Sequence, residues 1–167
     1  MLDLFTRADY DRLPEGYPAQ LVEGWLVKEP APTYGHQLVQ SRLYAALVHL
    51  LDPGLVLAAP TDVALGEHDV YQPDLVVLRE APDRSARDVG VPLVAIGILS
   101  PSTADRDRNV KTAHLIDAGV EEVWLVDPTD ETVEIHTRHG VRKGAEDAAL
   151  ASRAIPGFSV LPRALFA

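Results

Sequence analysis

Three features of the sequence predict a mixed α/β fold. Residues 93–99 are apolar without interruption, which reads as a strand covered on both faces; two segments carry apolar residues at helical spacing; and short strand-length runs lie between turn residues. In chain order, Thr6 followed by Asp9 forms a capping-box pattern and predicts a short helix over 7–13, ended by Pro14 and Gly16. Residues 19–23 and 25–29 are two extended runs around Gly24 and predict a tight hairpin or a bulged strand. From Thr33 or Tyr34 to Leu51, the residues Val39, Leu43, Leu47, Leu50 and Leu51 recur at helical spacing until Asp52-Pro53-Gly54 stops them.

Residues 55–58, 62–65 and 75–78 predict neighbouring strands, and the charged stretch 79–90 a surface loop. The apolar run 93–99 belongs in the middle of the sheet. Ser102-Thr103-Ala104-Asp105 reads as a second capping box, opening a helix that continues to Ala118 and closes at Gly119. Residues 123–126 form a further buried strand, 127–130 a turn, and 132–137 alternate as an edge strand does; 139–167 are less regular and wrap the outside. A chain of 167 residues without a Gly-, Ser- or Pro-rich divide is expected to be one domain, 1–167, with hairpin additions at both ends.

Composition narrows the chemistry. There is no cysteine, so disulfides, thiolate metal sites and cysteine nucleophiles are excluded, and any metal must bind through oxygen or imidazole. The sequence shows no leader pattern at Met1 and no membrane-spanning apolar run, so a soluble cytoplasmic protein is expected. The 25 acidic against 15 basic residues give a formal charge of −10, which repels a polyanion from the average surface. Arg106, Arg108 and Lys111 are crowded enough to form a local basic funnel, or simply a solvated helix face. No phosphate loop, dinucleotide fingerprint or nucleophile elbow is present, and His136 and His139 read as surface histidines.

Asp74 stands at the mouth of an apolar strand, where an acid is costly unless solvated, paired or bound to metal; ending the strand is its plainer role. Lys111 shares a helical azimuth with Leu115 and Ala118, which carries a cation towards the core side unless it snorkels to water. Gly97 sits inside the buried strand, where glycine gives up packing, and suggests a close approach to the backbone. His36 lies near the start of the first long helix, on the stripe continued by Gln40, Leu43 and Leu47, so it either caps that helix or faces a cleft.

These residues fall within a longer series. Gln20-Leu21-Val22-Glu23-Gly24, Gly35-His36-Gln37, Gln72-Pro73-Asp74-Leu75, Leu99-Ser100-Pro101-Ser102-Thr103, Lys111, and the block from Ala118 to Pro128 stand in an order that resembles the Uma-type restriction endonuclease family, within the PD-(D/E)XK nuclease superfamily. The likeness runs from about Tyr10 to Phe166. It implies a restriction-endonuclease-like mixed β-sheet flanked by helices, phosphodiester hydrolysis of DNA, and a divalent cation, magnesium or manganese. By the same likeness Asp74 matches the metal-binding aspartate, Lys111 the lysine moved onto the next helix, and the Ile98 backbone carbonyl the main-chain ligand. His36 would line the site, and many relatives pair, so a homodimer is expected.

Two departures follow. Gly97 stands where the resemblance implies a glutamate, and Gln20 where it implies another, which offers only a neutral carbonyl oxygen. The expectation is therefore a weakened endonuclease with weak or lost metal binding. The alternative is a nuclease scaffold kept as an inert binding or interaction module.

Overall fold

The computed structural model describes residues 4–167, and the expectation made at Met1 lies outside the described residues. A six-stranded mixed sheet forms the centre, in the order β10-β9-β8-β7-β6-β3. Its strands are β3 (Val56–Ala58), β6 (Leu75–Val77), β7 (Val94–Ile98), β8 (Glu122–Asp127), β9 (Thr132–Thr137) and β10 (Gly140–Ala145). As its unbroken apolar run requires, β7 is interior, parallel to β8 and antiparallel to β6.

The two faces of β7 fill two cores. Val94, Ile96 and Ile98 pack against Val39, Leu43 and Leu47 of α2 (Tyr34–Leu50) and against Ile155, Phe158 and Leu165 near the C-terminus. Ala95 and Leu99 pack on the opposite face with Leu115 of α4 (Thr112–Asp117) and with Val22, Val63 and Tyr71. The last three belong to a second, four-stranded sheet, β2-β1-β5-β4. It comprises β1 (Ala19–Val22), β2 (Trp25–Lys28), β4 (Val63–Ala64) and β5 (Val70–Tyr71). Glu23 and Gly24, at φ of 49° and 78°, turn β1 into β2, the two left-handed positions that a tight hairpin twists through. Gly24 is required twice over, because an added Cβ would lie 2.7 Å from that of Leu4.

The architecture predicted from sequence is present, with local corrections. The Thr6–Asp9 capping box forms as expected, but its helix α1 spans only Arg7–Tyr10. Residues 62–65 do not neighbour the central strands: β4 pairs with β5 in the second sheet, and β5 itself carries no periodic signal in two residues. Nor is β9 an edge, since it lies between β8 and β10. The true edge, β10, is interrupted by Arg142, Lys143 and Gly144, so its alternation is hidden.

The second expected capping box is absent. Thr103 makes no side-chain cap bond, and its hydroxyl instead meets that of Ser100 at 2.9 Å. The helix it was to open is broken into α3 (Ala104–Arg106), a π-turn (Asp107–Lys111) and α4. Two further strands, β11 (Leu150–Ala151) and β12 (Ser159–Val160), and α5 (Pro162–Phe166) complete the C-terminal wrap. Among the described residues no helix is long and apolar enough to cross a membrane.

Candidate functional site

The β6–β7 register pairs Leu75 with Ile96, and one further step along it sets Asp74 opposite Gly97. This is where the central sheet opens into a cleft of about 990 Å³. Asp74 is part-buried there: its Oδ2 accepts the Ile98 N–H at 2.6 Å and its Oδ1 lies 3.2 Å from His36 Nε2. Its backbone carbonyl accepts from Ala59 N–H at 2.9 Å and from Gln40 Nε2 at 3.1 Å. The α2 stripe that begins with His36 and Gln40 thus faces the aspartate, as its spacing suggested. Thr33 caps this helix by accepting the His36 N–H, so the His36 side chain is free to do so.

The hydrogen bond to Asp74 raises the His36 pKa; burial opposes it, and the Asp74 charge and the nearby Ile98 carbonyl add to the rise. His36 is thereby a cation held by Asp74 more readily than a free imidazole would be.

Lys111 enters the same cleft from the π-turn. The extra residue in that turn is marked by Thr112 N–H donating to the Asp107 carbonyl five residues back, and Asp107 and Lys111 stand four residues apart on one side of it. Lys111 Nζ lies 2.7 Å from Asp107 Oδ1 and 4.0 Å from Glu29 Oε1, while Asp74 is not among its ion-pair partners. Of the three crowded cations, Arg108 departs altogether: it turns to Asp127 at 3.0 Å and Glu134 at 3.4 Å, so the anticipated basic funnel is divided. His136, expected on the surface, is part-buried and bonded to Glu134 at 2.8 Å.

The second sheet supplies the remaining wall. Gln20 is 4% exposed; its Oε1 accepts the Gln72 N–H at 2.8 Å and its Nε2 donates to Glu29 Oε1 at 3.1 Å. Tyr71 fastens this wall to α4: its hydroxyl donates to Asp69 at 2.8 Å and also meets His114 Nδ1, and the two rings stack at 10°.

Gly97 lines the cleft with no backbone pressed against it. An added Cβ would meet only Leu125 Cδ2, at 3.7 Å, so the close approach expected from sequence is not there and a side chain has room.

The donors do not fit the divalent cation that the motif pattern implies. Gly97 brings no ligand, both Asp74 oxygens are engaged, Glu29 and Asp107 are turned to Lys111, and the Ile98 carbonyl faces His36. Among the described residues no three His, Asp or Glu side chains converge as metal ligands.

The structure therefore brings Asp74, Gly97, Ile98, His36, Lys111 and Gln20 to one cleft. Sequence reasoning missed Glu29 and Asp107. Asp107 was legible as the i−4 acid of Lys111, whereas Glu29 follows a short strand with no local mark of a partner.

Comparison with known proteins agrees with this architecture. The model of the Uma2 family, described as "Putative restriction endonuclease", matches residues 7–164. A crystal structure from Anabaena variabilis, described as a putative nuclease belonging to DUF820, is similar over 97% of both chains with a TM-score of 0.83 and 21% identity. No curated protein matches.

Proposed function

We propose that this chain, which belongs to the Uma2 restriction endonuclease family, is a single-domain DNA endonuclease working with a weakened site. The observation that carries the reading is the placement of Asp74 opposite Gly97 at the mouth of a cleft that also receives His36 and Lys111. In hydrolysis a water oxygen bonds to phosphorus, the bond to the leaving oxygen breaks, and a proton must reach that oxygen. Lys111 is suited to offset the charge that builds on the phosphoryl oxygens. His36, ion-paired to Asp74 through Nε2 and with Nδ1 buried, adds positive charge to the cleft wall, and the proton reaches the leaving oxygen from solvent. What is weak is activation of the water: a magnesium or manganese ion would ordinarily supply it, and the acid that would help to hold one is replaced by glycine.

Plasmid DNA mixed with purified protein and magnesium or manganese tests the reading. Slow cleavage is expected, lost in Asp74→Ala and raised about 10- to 100-fold in Gly97→Glu, in line with the usual cost of removing a partner at a metal site. Equal cleavage by Asp74→Ala would defeat the proposal.

The engagement of both Asp74 oxygens favours a second reading, an inert nuclease scaffold that binds DNA or another partner. It expects no cleavage by the unaltered chain and no metal uptake in calorimetry. A homodimer is part of the proposal, and light scattering of the purified chain tests it.

A further inference from the structure

Gln20 is a cleft residue whose orientation is dictated from both ends. Its Oε1 faces a backbone N–H, that of Gln72, so the amide cannot be reversed, and its NH2 must point at the Glu29 carboxylate. The main chain explains why the two meet. Gln20 pairs with Val27, and Glu29 N–H donates to the Pro18 carbonyl, which continues the ladder and makes Glu29 a same-face diagonal neighbour of Gln20.

A glutamate at 20 would set two carboxylates within hydrogen-bond distance of each other. The neutral amide at 20 and the acid at 29 therefore require one another. Beyond them stands Lys111, held by Asp107 on its own helix and facing Glu29 on the opposite wall. Asp107 alone would fold the lysine stem back along the π-turn; an anion across the cleft draws the ammonium outward. Burial raises the Glu29 pKa, opposed by Lys111, with Asp107 adding to the rise, so the three charges share one environment.

We infer that Gln20 and Glu29 form one unit that places a carboxylate at the end of β2, and that Glu29 is the positioning residue holding the Lys111 ammonium in the cleft. Only its consequence for cleavage rests on the nuclease reading; the linkage itself does not.

Three variants test it: Glu29→Gln, Gln20→Glu, and the exchange of both. The readouts are the melting temperature and the 15N resonance of the Lys111 ammonium at one fixed pH, assigned by its disappearance in Lys111→Arg. Gln20→Glu is expected to lose several degrees of melting temperature, and the exchanged pair to regain most of them. The Lys111 signal is expected to move in Glu29→Gln and to stay moved in the exchanged pair, whose carboxylate lies on β1 and not at the end of β2. A Lys111 signal unchanged in Glu29→Gln overturns the inference, as does an exchanged pair no more stable than Gln20→Glu. In the plasmid assay, Glu29→Gln cleaving at the unaltered rate overturns the positioning role and leaves the nuclease reading intact. Absence of cleavage in every variant, Gly97→Glu included, defeats the nuclease reading, and the Lys111 signal then decides the linkage by itself.

Discussion

Two acids of the central sheet, Glu122 and Asp74, are treated very differently by the fold. Glu122 at the start of β8 is 1% exposed and takes Trp124 Nε1–H at 2.9 Å, the Ser152 hydroxyl at 2.7 Å, the Arg153 N–H at 2.7 Å and Arg142 at 3.4 Å. Those donors come from β8, β10 and the C-terminal wrap, so this acid ties the wrap to the sheet. Asp74 has a single backbone donor and one imidazole, and it opens onto a cleft. An acid surrounded by donors is bound into the architecture, whereas one with a single partner on each oxygen, beside an open space, can exchange one of them.

The contrast can be broken or sharpened by four measurements. Glu122→Ala leaves a buried indole N–H, a hydroxyl and a backbone N–H without their acceptor, and is expected to cost about 3–5 kcal/mol in urea unfolding. The neighbouring Glu121→Ala, which removes only the exposed pair with Arg79, should cost no more than about 1 kcal/mol. Equal losses would remove the special standing of Glu122.

Arg108→Ala comes next, at about 2 kcal/mol near neutral pH, since the arginine serves two part-buried acids. For both Asp127 and Glu134 burial works to raise the pKa but is outweighed. Arg108 and the N–H groups of Asp130 and Thr129 lower Asp127; His136, Arg108 and Lys143 lower Glu134. Acids with lowered folded pKa values stabilise above their unfolded values and lose that contribution as pH falls through the folded ones. The gap in melting temperature between the unaltered chain and Arg108→Ala should therefore close as pH is taken from about 7 to about 3. A constant gap would contradict the assignment.

Asp74→Ala should cost only about 1 kcal/mol, because it removes two hydrogen bonds next to water, while abolishing any plasmid cleavage. A loss as large as that of Glu122→Ala would place Asp74 with the structural acids. Smallest is Gly97→Ala, expected to stabilise by about 0.5–1 kcal/mol in the same unfolding experiment, since the added Cβ meets only Leu125 and strand glycine is entropically costly. A destabilised Gly97→Ala would mean that the glycine is kept for packing.

The comparison also explains what could be read from the sequence. Asp74 was conspicuous because it stands at the mouth of an apolar strand, and Lys111 because it lies on an apolar stripe. His36 was legible through its helical spacing to Gln40 and Leu43, which the contacts with Asp74 follow. Glu122 drew no attention, since it stands beside a second glutamate and its partners other than Trp124 lie 20 to 31 residues away. Glu29 escaped for the same reason: its partners Gln20 and Lys111 sit on other elements.

What the sequence by itself determined is whatever period, cap and turn can express locally: the interior β7, the α2 stripe, the Thr6–Asp9 box, a break in extended chain at Gly24, and the glycine at 97. Only the tertiary structure decided that β4 and β5 leave for a second sheet, that a π-turn interrupts the helix carrying Lys111, and that Gln20 faces Glu29. The reason is range. A two-residue strand has no period to read, and the partner of a polar side chain is chosen by whichever distant donor or charge packing brings within about 3 Å, a distance over which hydrogen bonds are effective.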